Sequence, residues 1–292
     1  MSLTFPTTSL KKPSGVTAIP SGLKRPAFGT LYGFDAQGGG GAAGYPNAYS
    51  ASFDGANDHA KATPASDTNV ETFSVWFKSP NTFASNGIYL DAEVLFGWGN
   101  FSSSWGLAIG GGMIGAMPSS LIYVRHPSNN AYGYTPSSVT TLAADTWHHI
   151  ATRWSSSSET TGGNGYDIWL NGTKITGTEA TNTGTAAASP AQISATSGFT
   201  FGQRSNLNVT YTYEGLIDEA AIWSSALSES DVGSLYNSGK PLDLTSLSPT
   251  HWYRMGDNDG GSGTTITDQG SGGNDLSLNL GASISTDAGQ FS

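Results

Sequence analysis

The stretch that decides the fold is Tyr213–Gly239, YEGLIDEAAIWSSALSESDVGSLYNSG. From Glu214 to Trp223 apolar and polar residues alternate, the period of a strand with one covered face. The period then changes. Ser228 opens Ser-Glu-Ser-Asp, an N-cap with an acid three residues on, and predicts a helix over about 229–237. Leu227, Val232, Leu235 and Tyr236 form its buried side, Gly239 ends it, and Pro241 blocks resumption. A strand that passes through a tryptophan into one short helix needs a sheet to lie in and a surface for the helix to cover.

Upstream, strand-like segments recur between turn residues. YSASFDG, from Tyr49, sets outward Ser against inward Ala and Phe. TFSVWFKS puts Phe73, Val75 and Phe77 on one face and Trp76 on the other. TWHHIATRWS sends His148 and His149 to opposite faces, so one regular strand cannot bring both to one metal. EVLFGWG, WGLAIGG, SLIYVRH and FTFGQRS are further short strands. In YDIWLNGTKITG the dipeptide Asn171-Gly172 is the strongest short-range hairpin signal, because a type I′ turn needs positive φ at both positions. Many antiparallel strands with one short helix predict an all-β sandwich.

Composition bounds the function. The 292 residues carry only 12% charged side chains, with 39 glycines, which suits turns and strands better than surface helices. A net charge of −10 argues against a nucleic-acid surface, which needs clustered cations. The charge is uneven: residues 1–25 hold Lys11, Lys12, Lys24 and Arg25 and no acid, leaving eight cations against 22 acids in the remainder. This basic arm either docks on an acidic partner or is a solvated tail. Without cysteine there are no disulfides or thiolate sites. MSLTFPTTSLKKPSGV lacks the apolar run of a secretory signal. The uncharged window Leu107–Val124 contains three consecutive glycines and a proline, so it reads as two strands and a loop, with no membrane insertion expected. The expected organisation is an extended N-terminal arm over 1–46, a sandwich over 47–245, and C-terminal strands with a Gly/Asp-rich loop over 246–292 that complete it.

YSASFDGANDH, ETFSVWFK, TWHHIATRW, YDIWLNGTKI and the opening stretch occur in the order found in laminin-G-like domains of the concanavalin A-like superfamily, and the chain resembles that family from about Tyr49 to Leu244. Pentraxins and several lectins share its jelly roll. The resemblance implies an antiparallel jelly-roll sandwich, with Leu216 and Ile222 in the core and the helix over the rim. The segment WYRMGDNDGGSGTTITDQG is similar to segments of marine phage structural proteins; that similarity, rather than composition or spacing, implies a virion.

Calcium takes six to eight oxygen ligands. Asp54-Gly-Ala-Asn-Asp58 packs such ligands into a turn, and related domains often bind calcium near this edge. Asp54 and Asp58, with Asp218 or Glu219, are the candidates. The same residues are also good turn formers, and Asp218 and Glu219 also read as one local cap or ion pair and one solvated acid. The loop bearing Asp257, Asp259, Asp268 and Asp275 is a second acidic candidate. Sugar binding, the family's usual activity, needs exposed aromatic rings beside amides and hydroxyls; Trp98, Trp105, Tyr132 and Tyr134, among Gly, Asn and Ser, are the candidates, against the alternative that tryptophans fill the core. A β-glucanase needs acids aligned on one strand face, and Asp91-Ala-Glu93 supplies two with no third. No Gly-x-Ser-x-Gly elbow or phosphate loop is present. The expectation is a non-enzymatic virion surface protein, a capsid decoration or tail-associated subunit, attached through its arm to other virion proteins and binding partner subunits and host-surface glycan as a homo-oligomer. The alternative is a free extracellular calcium-dependent lectin.

Overall fold

The computed structural model describes residues 45–84, 92–98, 106–110, 121–126, 130–134, 141–158, 163–176, 180–183, 189–207, 209 and 211–288. Two antiparallel sheets carry the body. The first runs, neighbour to neighbour, Thr173–Lys174, Gly163–Leu170, His148–Ser158, Thr72–Lys78, Glu214–Trp223, Ser50–Asp54 and Ser283–Ser285, with His251–Tyr253 also paired to Glu214–Trp223. The second runs Ala180–Thr183, Asn130–Tyr134, Ile122–His126, Leu107–Ile109, Glu93–Gly97, Phe199–Phe201, His59–Ala62, Leu276–Asn279 and Thr265–Ile266. Both sheets thus draw strands from the two ends of the described chain, as expected of a jelly roll. Among the described residues no helix is long and apolar enough to cross a membrane.

The inner faces interdigitate. Phe73, Val75 and Phe77 from the first sheet all enter the main core, as their alternation predicts. Phe73 stacks on Phe96 of the second sheet with ring centroids 4.3 Å apart, and Phe96 stacks on Phe201 at 5.1 Å. Such pairs add about 0.5–1.5 kcal/mol each beyond their area. The hairpin forms at Asn171-Gly172, with φ of 48° and 75°. The Asn171 carboxamide oxygen accepts the His149 amide at 2.8 Å, so the turn is tied to the neighbouring strand.

The helix differs from its expected position. It spans Glu229–Ser234, with the Ser228 hydroxyl accepting the Asp231 amide. Rather than covering a rim, it lies on the outer face of the first sheet. There Val232, Leu235 and Leu244 pack with Ala151, Trp169, Ala221, Trp223 and Trp252 in a second apolar cluster. The cause is the three tryptophans: hiding each is worth about 2–3 kcal/mol, and a six-residue helix gains its stability only from such packing.

The opening strand also shifts phase. Leu216 is only half-buried, and Ile217 takes the core position instead. Asp218 pairs with Trp76 but Ala221 with Ser74, so three residues oppose two and the strand bulges at Glu219, whose φ is 45°. A bulge reverses the expected facing of whatever follows it. This one sends the Asp218 and Glu219 side chains to the same side.

Candidate functional site

Asp218 and Glu219 are both buried, at 1% and 3% exposure, contrary to the alternative of one capped and one solvated acid. Glu219 accepts the Trp252 indole N–H at 2.7 Å and the Arg254 Nε at 3.0 Å. Asp218 accepts the Asn47 carboxamide at 2.9 Å and the Glu219 amide at 2.8 Å. Asp257 joins them from the C-terminal loop, accepting the Ala48 amide at 2.8 Å. One ligand oxygen from each of the three acids lies within 4.8 Å of the others. Arg254 spans the cluster: its guanidinium lies 4.3 Å from the Tyr45 ring centroid and donates to the Pro46 carbonyl. Segment 45–48 is therefore held over three acids and one cation.

The electrostatics follow from that count. Burial, then the repulsion of Glu219, holds the Asp218 carboxyl well above the usual range. Burial pushes Glu219 up to about 7 despite Arg254, and burial raises Asp257 as well. One Asp257 carboxylate oxygen and the Asn47 carboxamide oxygen are buried without a hydrogen-bond partner. An all-oxygen donor set with orphaned acceptors and excess negative charge fits a hard cation such as calcium.

The other acids do different work. Asp54 sits opposite Glu214 on the paired strand, four residues from Asp218, which is about 13 Å of strand. Asp54 and Asp58 therefore cannot share an ion with Asp218 and Glu219, which corrects the expected ligand set. Asp54 instead accepts the Ala56 amide, and Asp58 the Asp54 amide, closing their own turn. Asp259 accepts the Thr267 amide and hydroxyl, and Asp275 the Asp268 amide. Asp268 contacts His251 Nδ1 at 2.7 Å and accepts three main-chain amides; burial raises its carboxyl, but these bonds win and hold it below the usual range. The loop is thus a set of side-chain-closed turns, and only Asp257 reaches the cluster.

Of the aromatic candidates, Trp98 is fully buried, 5.0 Å from Phe96, so it offers no ring face to a sugar. The core reading wins there. Tyr132 and Tyr134 lie on the strand Asn130–Tyr134, paired with Val124 and Ile122. Trp105, Lys11, Lys12, Lys24, Arg25 and Asp91 lie outside the described residues. Glu93 is pushed up to about 7 by burial, and both its oxygens are engaged, by the Asn81 carboxamide and the Glu214 amide.

Two features escaped the sequence. Ser74 Oγ lies 2.8 Å from His149 Nε2, a nucleophile–base spacing. That ring is fully buried, pushed down to about 3 by desolvation, and sits 4.9 Å from Trp76 and 6.1 Å from Tyr236. Its Nδ1 is buried without a partner, so no carboxylate orients it and the pair is structural. The second feature is an open polar groove of about 490 Å³ between the hairpin turn at 171–173 and the end of the helix at Ser234 with Tyr236, Asn237 and Ser238 just after it. Only contact between two distant elements creates it.

Residues 54–233 match the family model of the laminin-G-like branch of the concanavalin A-like lectin/glucanases superfamily. The chain belongs to that superfamily. As a laminin-G-like protein it shares its fold with a proposed carbohydrate-binding protein of Bacteroides ovatus, at 19% identity and a TM-score of 0.55, over 84% of this chain and 61% of that one. The chain thus spans about 61% of that relative's length. A heptameric pentraxin of Limulus polyphemus is 13% identical over 65% of this chain and 82% of its own, with a TM-score of 0.39. A sialidase carbohydrate-binding module of Ruminococcus gnavus, bound to sialyllactose, is 11% identical over 62% and 99%, with a TM-score of 0.32. Among curated proteins none matches the chain significantly.

Proposed function

We propose that the protein is a non-catalytic, calcium-dependent glycan-binding protein of lectin type, displayed on a virion surface through its basic N-terminal arm. The observation that carries the non-catalytic reading is the employment of its buried acids. Among the described residues, buried Asp58, Asp167, Asp218, Glu219 and Asp268 and half-buried Glu93 each engage main-chain amides or fixed side chains that hold the fold together. A glycosidase needs two carboxyls free to face a scissile bond. The Bacteroides ovatus relative supports sugar as the ligand class. The test is a glycan array, with and without chelator, followed by an assay for reducing ends on every glycan bound. Retention of intact glycan is expected; released reducing ends overturn the reading.

Asp218, Glu219 and Asp257 are the residues that would hold the calcium, whose role is to neutralise their excess charge. Segment 45–48 bonds to the same cluster through Pro46, Asn47 and Ala48. Display on a virion is supported by the +4 arm on an acidic remainder and by the phage-like WYRMGD segment. Deleting residues 1–44 is expected to abolish incorporation into particles. Unchanged incorporation favours the free lectin.

A further inference from the structure

Resting on the glycan-binding reading, we propose that the groove between the Asn171-Gly172 turn and the segment after the helix is the binding site for a neutral saccharide. Its volume, about 490 Å³, falls within the roughly 300–1,000 Å³ of small-ligand sites. Its lining is unlike an ordinary apolar pocket: Asn171, Thr173, Ser234, Asn237 and Ser238 supply amides and hydroxyls, and Tyr236 supplies a ring. That mixture suits a ligand with hydroxyls on its rim and C–H groups on its faces.

The groove is rigid. Tyr236 stacks on Trp76 with centroids 5.5 Å apart and interplanar angle 20°, and Trp76 in turn lies over buried His149. Across the groove, a Cβ on Gly172 would lie only 3.0 Å from the Tyr236 side chain, so the turn and the ring are in close contact. Asn171, Asn237 and Ser238 hold left-handed φ values of 48°, 43° and 57°, which fixes both walls as tight turns. The Asn171 carboxamide is locked by the His149 amide, and the Asn237 carboxamide donates to the Pro241 carbonyl. Preorganised walls cut the ordering cost of binding.

The ligand's charge follows from the surroundings. None of the lining residues is charged. Two nearby cations are already compensated: Lys174 lies 2.9 Å from Glu229 and 3.4 Å from Asp167, and Arg153 lies 3.3 Å and 3.7 Å from the same acids, while Lys240, exposed two residues beyond Ser238, is not part of the lining. A sialylated or uronic-acid glycan therefore finds no counter-charge in the lining to offset burying its carboxylate, whereas a neutral one has no charge to desolvate.

The test uses the intact chain, an array of neutral and acidic glycans, and titration calorimetry on the best neutral binder. Thr173→Trp and Ser234→Trp plug the groove from opposite walls at exposed positions, so one defect in folding does not void the test. Both variants are expected to melt like the parent and to bind at least about tenfold more weakly. Parent-like affinity in both variants overturns the site and leaves the lectin reading standing. Binding of acidic glycans alone overturns the neutral class. If the parent binds no glycan at all, the lectin reading fails and takes this proposal with it.

Discussion

Adding calcium at neutral pH should stabilise the protein through Asp218, Glu219 and Asp257. In the metal-free protein these acids are raised by burial, so the folded state keeps protons that the unfolded chain releases above about pH 4–4.5. Stability from this source is therefore fully present at low pH and is lost as pH rises toward 7. For Glu219 alone, a rise from 4.5 to about 7 corresponds to roughly 3 kcal/mol over that window. The buried histidines oppose this: His149 is pushed down to about 3 and His148 is lowered, so their contribution improves as pH rises to about 6.5. The clean readout is thus the difference between melting curves in calcium and in chelator at each pH. At about a hundred times its dissociation constant calcium adds about 2.7 kcal/mol, or about 5–10 °C in melting temperature for a domain this large. The shift should shrink toward pH 5, where protons compete for the same oxygens, and Asp218→Asn should abolish most of it. An equal melting temperature in calcium and chelator at pH 7.5, in the parent protein, refutes the reasoning.

Three further outcomes follow from the packing. Gly215→Ala should cost roughly 2–4 kcal/mol by denaturant titration, because φ is 138° and a Cβ would lie 2.2 Å from the Lys78 carbonyl. Tyr213→Phe should cost about 1–2 kcal/mol, since the buried hydroxyl lies 2.8 Å from the Lys78 carbonyl and 3.0 Å from that of Leu216, bridging two strands; an unchanged midpoint would count against that bridge. Asn171→Ala should cost about 1–3 kcal/mol in thermal melts, losing a residue tolerant of left-handed φ and the acceptor for the His149 amide, while Asn171→Gly should cost less.

Period-two alternation was enough to place Phe73, Val75 and Phe77 in the core, and the Asn-Gly dipeptide was enough to place the hairpin. Both are local signals whose physics needs no partner strand. The phase of Leu216–Ile217 was not legible, because the bulge at Glu219 is set by pairing with Thr72–Lys78. The same bulge hid the cluster: alternation sends Asp218 and Glu219 apart, and nothing near them in sequence points to Asp257, 39 residues on. Arg254 was the available hint, a cation in a segment otherwise full of acids. The role of Trp98 is not legible in sequence, because a tryptophan flanked by glycines resembles a loop residue as much as a core one. In the fold Gly106 lets that indole lie flat against the backbone, where any Cβ would lie 2.2 Å from the ring. The groove at Tyr236 joins residues some 60 positions apart, so only the docked helix reveals it.

The account is tested most directly by native mass spectrometry of the intact chain incubated with calcium and its best-binding oligosaccharide. It predicts a complex heavier than the protein by one calcium and one unbroken oligosaccharide, stable over hours. Shortened sugar fragments in solution, or a sugar complex that forms equally well in chelator, would contradict it.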